Sequence, residues 1–185
     1  EQEFSNDDKA FMELLANWFG LMLLRTKQTQ ALETQALTDA LTGLPNRRAA
    51  ELRFAEEIAR ARRDQCGFSI AIGDLDRFKL INDNFGHEVG DEVLRQSSLV
   101  MREALREGDW IARWGGEEFI LFLHHSSGDE AFAAVERLRL AIKASPCVTD
   151  SGSVEVTSSF GIGEFQPGNA DMSHTLSEAD GCLYE

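Results

Sequence analysis

The sequence predicts an α+β fold: a mostly antiparallel central sheet of four or five strands flanked by helices, preceded by a long coiled-coil-type helix. Three observations carry this. The first stretch, to about residue 40, has helical periodicity with an alternating 4-3 spacing of seam residues. Beyond it, helix-type and strand-type patterns follow in the order α, β, α, β-hairpin, α, β, α. In the middle, Gly115-Gly116 separates two short β-branched and aromatic runs, Asp109 to Trp114 and Phe119 to Leu123.

Each element has a local reason. Ser5-Asn6-Asp7-Asp8 is an N-cap cluster with acids at a helix start, and Phe11, Leu15, Trp18, Met22, Arg25, Thr29, Leu32 and Ala36 form the seam. The Leu21-Met22-Leu23-Leu24 run makes the first half apolar on more than one face, which suits a stalk that pairs with a second copy or a helix that lies on its own domain. Gly43 and Pro45 end this rod, and Asn46 caps a basic amphipathic helix from Arg47 to Arg63 with Ala50, Phe54, Ile58 and Ala61 on one side. Phe68 to Gly73 reads as a buried strand that delivers Asp74-Leu75-Asp76 at its end. A short helix from Phe78 follows. A long one runs from His87 to about Arg106, with Val93, Leu94, Leu99, Val100 and Leu105 as core residues. Asp129 to Ala144 is helical, with Phe132, Val135, Leu138 and Ile142 inward; Val154 to Gly163 alternates as one strand; Ser173 to Glu185 begins a last helix.

Composition bounds the function. The 185 residues are 43% hydrophobic and 27% charged, enough for one domain with its own core plus an extra element. The net charge of −14 argues against nucleic-acid backbones, which need clustered Lys and Arg, but allows a nucleotide held through a cation. Cys66, Cys147 and Cys182 are isolated, which suits buried free thiols in a reducing, cytoplasmic compartment rather than a disulfide scaffold. No run of roughly 18 apolar residues spans a membrane, and no signal-peptide pattern opens the chain. The chain starts without Met and stops at Tyr184-Glu185 inside a helical pattern, so it reads as a fragment of a longer protein.

Two places concentrate chemistry. A Gly-Gly hairpin turn is expected to need positive φ at both glycines, and it leaves the backbone open to a ligand beside Glu117 and Glu118, which alternate to opposite faces. A surface hairpin with solvated glutamates is the plain alternative. At the end of the buried strand, Asp74 and Asp76 are spaced as strand-end metal carboxylates are, although a polar loop start would look the same. His87, alone in its neighbourhood, reads as a structural hydrogen-bonding group.

Taken together, these residues resemble the GGDEF family of diguanylate cyclases. Gly115-Gly116-Glu117-Glu118-Phe119 is similar to its signature in GGEEF form. Asp39 to Arg48, Asp74 to Lys79, Asn82 through His87 to Asp91, and Ala179-Asp180 with Leu183-Tyr184 agree in order and spacing, so the resemblance covers about residues 37 to 185. It implies a fold like adenylate cyclase catalytic domains and polymerase palms, with residues 1–36 as a signalling stalk and 37–185 as a catalytic domain cut short at its C-terminus. It implies condensation of two GTP to cyclic di-GMP with release of two pyrophosphates. Asp74, Leu75 through its carbonyl, and Glu117 would hold Mg²⁺, with Mn²⁺ as a substitute; oxygen-only donors favour these hard cations. Glu118 would stand near the metals or the attacking 3′-hydroxyl, and either Glu117 or Glu118 could take the proton. Asn82 and Asp91 match the positions that read guanine, Phe78 and Lys79 those near the phosphates, and Gly115 and Gly116 those against the substrate. One domain binds one GTP, so two must face each other as a homodimer, a task for the N-terminal helix. That helix also resembles the closing helix of a GAF-type sensor.

Arg106 and Asp109 match the family's RxxD inhibitory motif, ahead of Gly115 in register, and Arg137 matches a secondary arginine, which together imply feedback by bound cyclic di-GMP; an ordinary salt bridge at a helix end is the plain alternative. Two departures stand out. Gly73 replaces an apolar strand residue, which is expected to loosen the strand locally without loss of function. The Lys/Arg segment that follows the Leu-Tyr pair in the family, and contacts the triphosphate, has no counterpart before Glu185. Besides an active enzyme, the sequence admits a degenerate module that senses cyclic di-GMP or GTP, and a scaffold whose helix, through Trp18 and Leu21 to Leu24, docks a regulatory protein.

Overall fold

A computed structural model of the chain describes residues 12, 15–25, 36–124, 126–149, 152–169 and 171–183. The expected N-cap at Ser5 to Asp8, the seam positions Phe11, Thr29 and Leu32, and Tyr184 lie outside these residues. The chain divides into two compact units, Glu1–Leu37 and Thr38–Glu185. In the first, residues 15–25 are helical (α1), and Trp18, Phe19, Leu21, Met22, Leu23 and Leu24 all stand exposed on it. No helix among the described residues is long and apolar enough to cross a membrane.

The second unit begins with a loop closed by bonds from Asp39 N–H to the Leu44 carbonyl and from Gly43 N–H to the Asp39 carbonyl, with Gly43 at φ +69°. Helix α2 (Arg47–Asp64) then starts at Asn46, whose side chain accepts from Ala49 N–H as expected of an N-cap. Its inward face carries Ala50, Phe54 and Ala61, and also Glu57, which is 2% exposed and is met by Arg53 at 2.8 Å and Arg60 at 3.4 Å. The remaining order is β1 (Phe68–Leu75), α3 (Phe78–Phe85), α4 (His87–Ala104), β2 (Trp110–Arg113), β3 (Glu118–Leu123), α5 (Gly128–Ala144), β4 (Cys147–Thr149), β5 (Gly152–Val154), β6 (Ser158–Phe165) and α6 (Ser173–Leu183).

The main sheet has four strands in the order β2-β3-β1-β6, every neighbour antiparallel. β1 and β2 therefore run parallel with β3 between them, and β3 and β6 run parallel with β1 between them: two interleaved split βαβ units. Alternation sorts the strands onto two faces. Ala71, Leu75, Phe119, Leu121 and Leu123 meet α3, α4 and α5, whereas Ile70, Ile72, Ile120, Phe122 and Phe165 meet α2 and α6. With both faces covered, β1 is buried almost throughout. On the second face α6 lies directly on β6: a Cβ added to Gly161 would sit 1.9 Å from the Ala179 carbonyl oxygen, and one on Gly163 would sit 2.2 Å from that of Thr175.

The structure corrects several expectations. Val154 to Gly163 is not one strand; β5 ends at Val154 and pairs with β4, a strand the sequence pattern did not reveal, in a separate two-stranded sheet, while β6 starts at Ser158. Val156, between them, is buried in the core, so burial keeps alternating from Val154 to Ser159 although the strand pairing is interrupted. Leu99 and Phe132 are exposed, because the inward stripes of α4 and α5 run through Ser97, Ser98 and Met101 and through Ala131, Ala134 and Val135 instead. Only Cys147 is buried; Cys66 and Cys182 are exposed. Gly73 does not loosen its strand: the Phe160 ring, across from it on β6, fills the space a side chain would take, and an added Cβ would lie 2.3 Å from Phe160 Cε1.

Candidate active site

The end of β1 is held on both sides. Leu75 N–H donates to the Glu117 carbonyl at 3.3 Å, and Asp76 N–H donates to the Thr157 carbonyl at 3.0 Å. The chain then turns through Arg77, which adopts a left-handed conformation (φ 56°, ψ 29°) at the start of α3 with no side-chain cap bond. Asp74 thus sits at the last full pairing position, opposite Glu118 on β3 and Ser159 on β6. Asp76 is pinned by hydroxyls, accepting from Thr157 Oγ1 at 2.5 Å and Ser159 Oγ at 2.6 Å. The Leu75 side chain is fully buried, so only its backbone carbonyl can act as a ligand.

The hairpin differs from the turn expected. Gly115 and Gly116 do not have positive φ. Trp114 N–H and Gly115 N–H both donate to the Glu118 carbonyl, at 2.8 and 3.2 Å, which closes a wider loop than a two-residue turn. The Glu118 carboxylate lies against Gly115: a Cβ there would sit 2.5 Å from Glu118 Oε2, the end of a flexible side chain that would have to shift. Gly116 faces open space. Arg113 clamps the loop from outside. Its guanidinium donates to the Gly116 carbonyl at 2.6 Å and reaches both carboxylate oxygens of Asp39 at 3.1 Å. Arg47 lies over the neighbouring Trp114 ring, 4.4 Å from its centroid.

Asp74, Asp76 and Glu117 open onto one cleft of about 980 Å³, walled by α3 residues, by the β5–β6 connection and by Leu183. Burial, then the charges of Glu117, Glu118 and Asp76, push the Asp74 carboxyl up to about 6. So much negative charge around one acid fits a divalent cation. Among the described residues no three His, Cys, Asp or Glu side chains form a cage on their own. That agrees with a cation that takes one or two carboxylates and completes its shell with phosphate and backbone oxygens.

The other candidates fall in two places. The Asn82 side chain rests against Gly90, where a Cβ would meet Asn82 Oδ1 at 2.0 Å, so Asn82 on α3 and Asp91 on α4 are near neighbours at the junction of these helices. Neither lines the cleft that Asp74 opens onto, nor do Lys79, Gly115 or Gly116. Phe78 is core, which leaves only its backbone for a ligand. On the far end of the sheet, Arg106 Nε lies 3.2 Å from Asp109 Oδ2, and the guanidinium also donates to the His124 carbonyl and to Ser126 Oγ, both at 2.7 Å. Asp109 accepts from His124 N–H at 3.1 Å, and its side chain is fully buried. Arg137 Nε donates to the Ala104 carbonyl at 3.3 Å, which brings α5 beside this motif. Sequence reading passed over Arg77, Thr157 and Ser159. Thr157 and Ser159 had a signal, two hydroxyls spaced by one residue in an alternating stretch, whereas the exposure of Arg77 to the cleft depends on the turn.

A split βαβ sheet whose central strand delivers an acid beside the acids of an adjoining hairpin defines a domain of the nucleotidyl cyclase and polymerase palm class. Comparison with known proteins narrows this. The family model described as "Diguanylate cyclase, GGDEF domain" matches residues 36–185, and the chain belongs to that family. Diguanylate cyclase DgcP of Pseudomonas aeruginosa is 40% identical over 184 residues, which is 100% of this chain and 27% of DgcP. Diguanylate cyclase DosC of Escherichia coli K12 is 34% identical over 165 residues, 89% of this chain and 36% of DosC. The chain therefore spans only about a quarter to a third of these relatives. Among solved structures, the coiled coil and GGDEF domain of DgcB from Caulobacter crescentus, in complex with c-di-GMP, superposes with a TM-score of 0.87 at 25% identity, covering 95% of this chain and 93% of that one. Diguanylate cyclase SiaD of Pseudomonas aeruginosa, solved with its activator SiaC, gives 0.78 at 33% identity, covering 95% and 67%.

Proposed function

We propose that the chain is the catalytic part of a diguanylate cyclase, condensing two GTP to cyclic di-GMP and two pyrophosphates in the cytoplasm, as a homodimer with one GTP per domain. The observation that carries this is the convergence of Asp74 and Glu117 on one cleft, with Glu118 and Asp76 close enough to raise the Asp74 pKa. Asp74, Glu117 and the Leu75 carbonyl would hold Mg²⁺, or Mn²⁺ in its place. Bound there, the cation would draw charge from the phosphoryl oxygens and acidify the attacking hydroxyl.

The protein's own part is positioning. Asn82 and Asp91 accept from and donate to the guanine edge, which selects GTP over ATP. Backbone N–H groups at the start of α3, with Lys79, receive phosphate. The 3′-hydroxyl of one GTP attacks the α-phosphorus of the other; the new P–O bond replaces the bond to the β-phosphate, and pyrophosphate leaves. Its proton passes to Glu118 or Glu117. Glu117 lines the cleft with Asp74, and Glu118 pairs across from Asp74 on β3, so both stay candidates for this role. Arg106, Asp109 and Arg137 would bind the product and inhibit, with Arg106 leaving its contacts to His124 and Ser126. The apolar surface of α1 suits a second copy, and an activating protein, as SiaD has in SiaC, is a further occupant to test.

The deciding experiment is turnover of GTP with Mg²⁺ by this chain, resolving cyclic di-GMP, beside Asp74→Asn. The wild type should form product and the variant should lose about a thousandfold or more. Product formation that persists unchanged in Asp74→Asn would overturn the assignment.

A further inference from the structure

Building on that reading, we infer that Arg77 is a substrate-binding residue of this site, and that its guanidinium takes the terminal phosphates of the nucleotide, the part that leaves as pyrophosphate. Among the described residues that line the cleft, Arg77 is the single Lys or Arg, set among Asp74, Asp76, Glu117 and Glu155. A lone cation facing four acids would be expected to pair with one of them. Arg77 makes no ion pair or side-chain hydrogen bond, although the acids share its cleft. Three of the four acids are engaged elsewhere: Asp76 accepts from Thr157 and Ser159, and Asp74 and Glu117 face each other at the proposed cation site; Glu155 does not pair with it either.

Charge explains what such a group is for. The cleft is acidic and the triphosphate is anionic, so one divalent cation cannot balance both. A planar guanidinium supplies paired donors to phosphate oxygens, and it stabilises the charge that grows on the leaving group as the bond to it breaks. Lys79, which the proposed function also gives to phosphate, approaches from outside the lining of this cleft, so within it the cation is Arg77. The backbone supports the assignment. Arg77 holds a left-handed conformation that disfavours any residue but glycine, and this turn aims its side chain out of the sheet end while starting α3.

The test is equilibrium binding of two probes in Mg²⁺ by the full chain: inorganic pyrophosphate, and 3′-deoxy-GTP, which lacks the attacking hydroxyl and cannot turn over. Arg77→Ala should bind both about tenfold more weakly, Arg77→Lys should recover part of the loss, and guanosine binding should not change. Arg77→Gly should show the same loss while melting no lower than the wild type, since glycine accepts the turn without strain; a residue that only shaped the turn would not separate the two readouts. Unaltered pyrophosphate and 3′-deoxy-GTP binding in Arg77→Ala would overturn the assignment and leave the cyclase proposal standing. If the wild type itself bound neither probe, the cyclase proposal would fall, and the role of Arg77 with it.

Discussion

Asp74 shows how function sets a local cost on stability. Its carboxyl titrates at about 6 against an ordinary 3.8, because burial and then Glu117, Glu118 and Asp76 oppose its charge. Below pH 3.8 it is protonated whether the chain is folded or not, and the favourable contribution of the neutral carboxyl is fully present. That contribution is lost as pH rises from 3.8 through 6, so without a divalent cation the fold should be weaker from this group at pH 8 than at acidic pH. Asp74→Asn should therefore stabilise the cation-free protein at pH 8 by about 1 kcal/mol once screening in the open cleft is allowed for, seen as a higher melting temperature, while removing the proposed activity. Thermal melts of both proteins in chelator at pH 5 and pH 8 check this; an equal difference at the two pH values would show that charge is not the cause. Gly73 makes a second prediction. Gly73→Ala meets the Phe160 ring and should cost about 1–3 kcal/mol, much less in a Phe160→Ala background, and denaturant melts of the four proteins give the coupling directly. Sequence reading found Asp74 because a carboxylate at the end of an apolar run is visible in one dimension. It misjudged Gly73 because the filling side chain lies 87 residues away on another strand.

Among the elements, the hairpin between β2 and β3 is tied to the start of its domain by the Arg113 guanidinium, beside the bond from Arg113 N–H to the Pro45 carbonyl and the Arg47–Trp114 contact. Arg113 joins the Gly115 and Gly116 carbonyls to Asp39, in the loop that precedes α2. Arg113→Ala should leave Asp74 in place yet lower the kcat of the proposed reaction about tenfold or more, because Glu118 and the glycine loop lose their register by fractions of an ångström. Asp39→Asn should show a smaller loss, and the double variant should be no worse than Arg113→Ala alone, as steady-state kinetics would reveal. Asp39 is held below the usual carboxylate range: burial raises it, and bonds from Thr42 and then Arg113 more than reverse this. The clamp therefore keeps its charge down to acidic pH, and its contribution is lost only as pH falls through that depressed value. The helices and the first strand could be read from periodicity and caps, as Asn46 and the α2 stripe show. The β4–β5 pair could not, since three-residue strands carry no period, and the inward stripe of α4 was misplaced because Ser97 and Ser98 are buried where a hydrophobic pattern looks for Leu99. The wide loop at Gly115 was read as a tight turn because two glycines fit both; the bonds from Trp114 and Gly115 N–H to the Glu118 carbonyl, which no sequence pattern reveals, decide between them.

For the whole molecule, the proposed reaction of two GTP held on two domains implies a kinetic law. If the active species is a homodimer in exchange with monomer, then in the dilute range the total rate should fall with the square of chain concentration. A charge placed on the apolar helix, Trp18→Glu, should deepen that fall without altering GTP binding. A strictly linear rate, with light scattering showing monomer throughout, would refute the dimer requirement. The central position of β1 matters at this scale too, since the strand that supplies Asp74 is paired on both edges and covered on both faces. Finally, the contact of α6 on β6 decides how inherited changes in this chain would be seen inside a cell. Gly161 and Gly163 admit no side chain, because helix carbonyls occupy the space. A missense allele at either would abolish the proposed activity by emptying the cell of protein, as quality-control proteases clear chains that cannot close this seam. An allele at Asp74 would silence it with the protein present in full. An immunoblot, run before any assay of the messenger, would tell the two kinds of mutant apart.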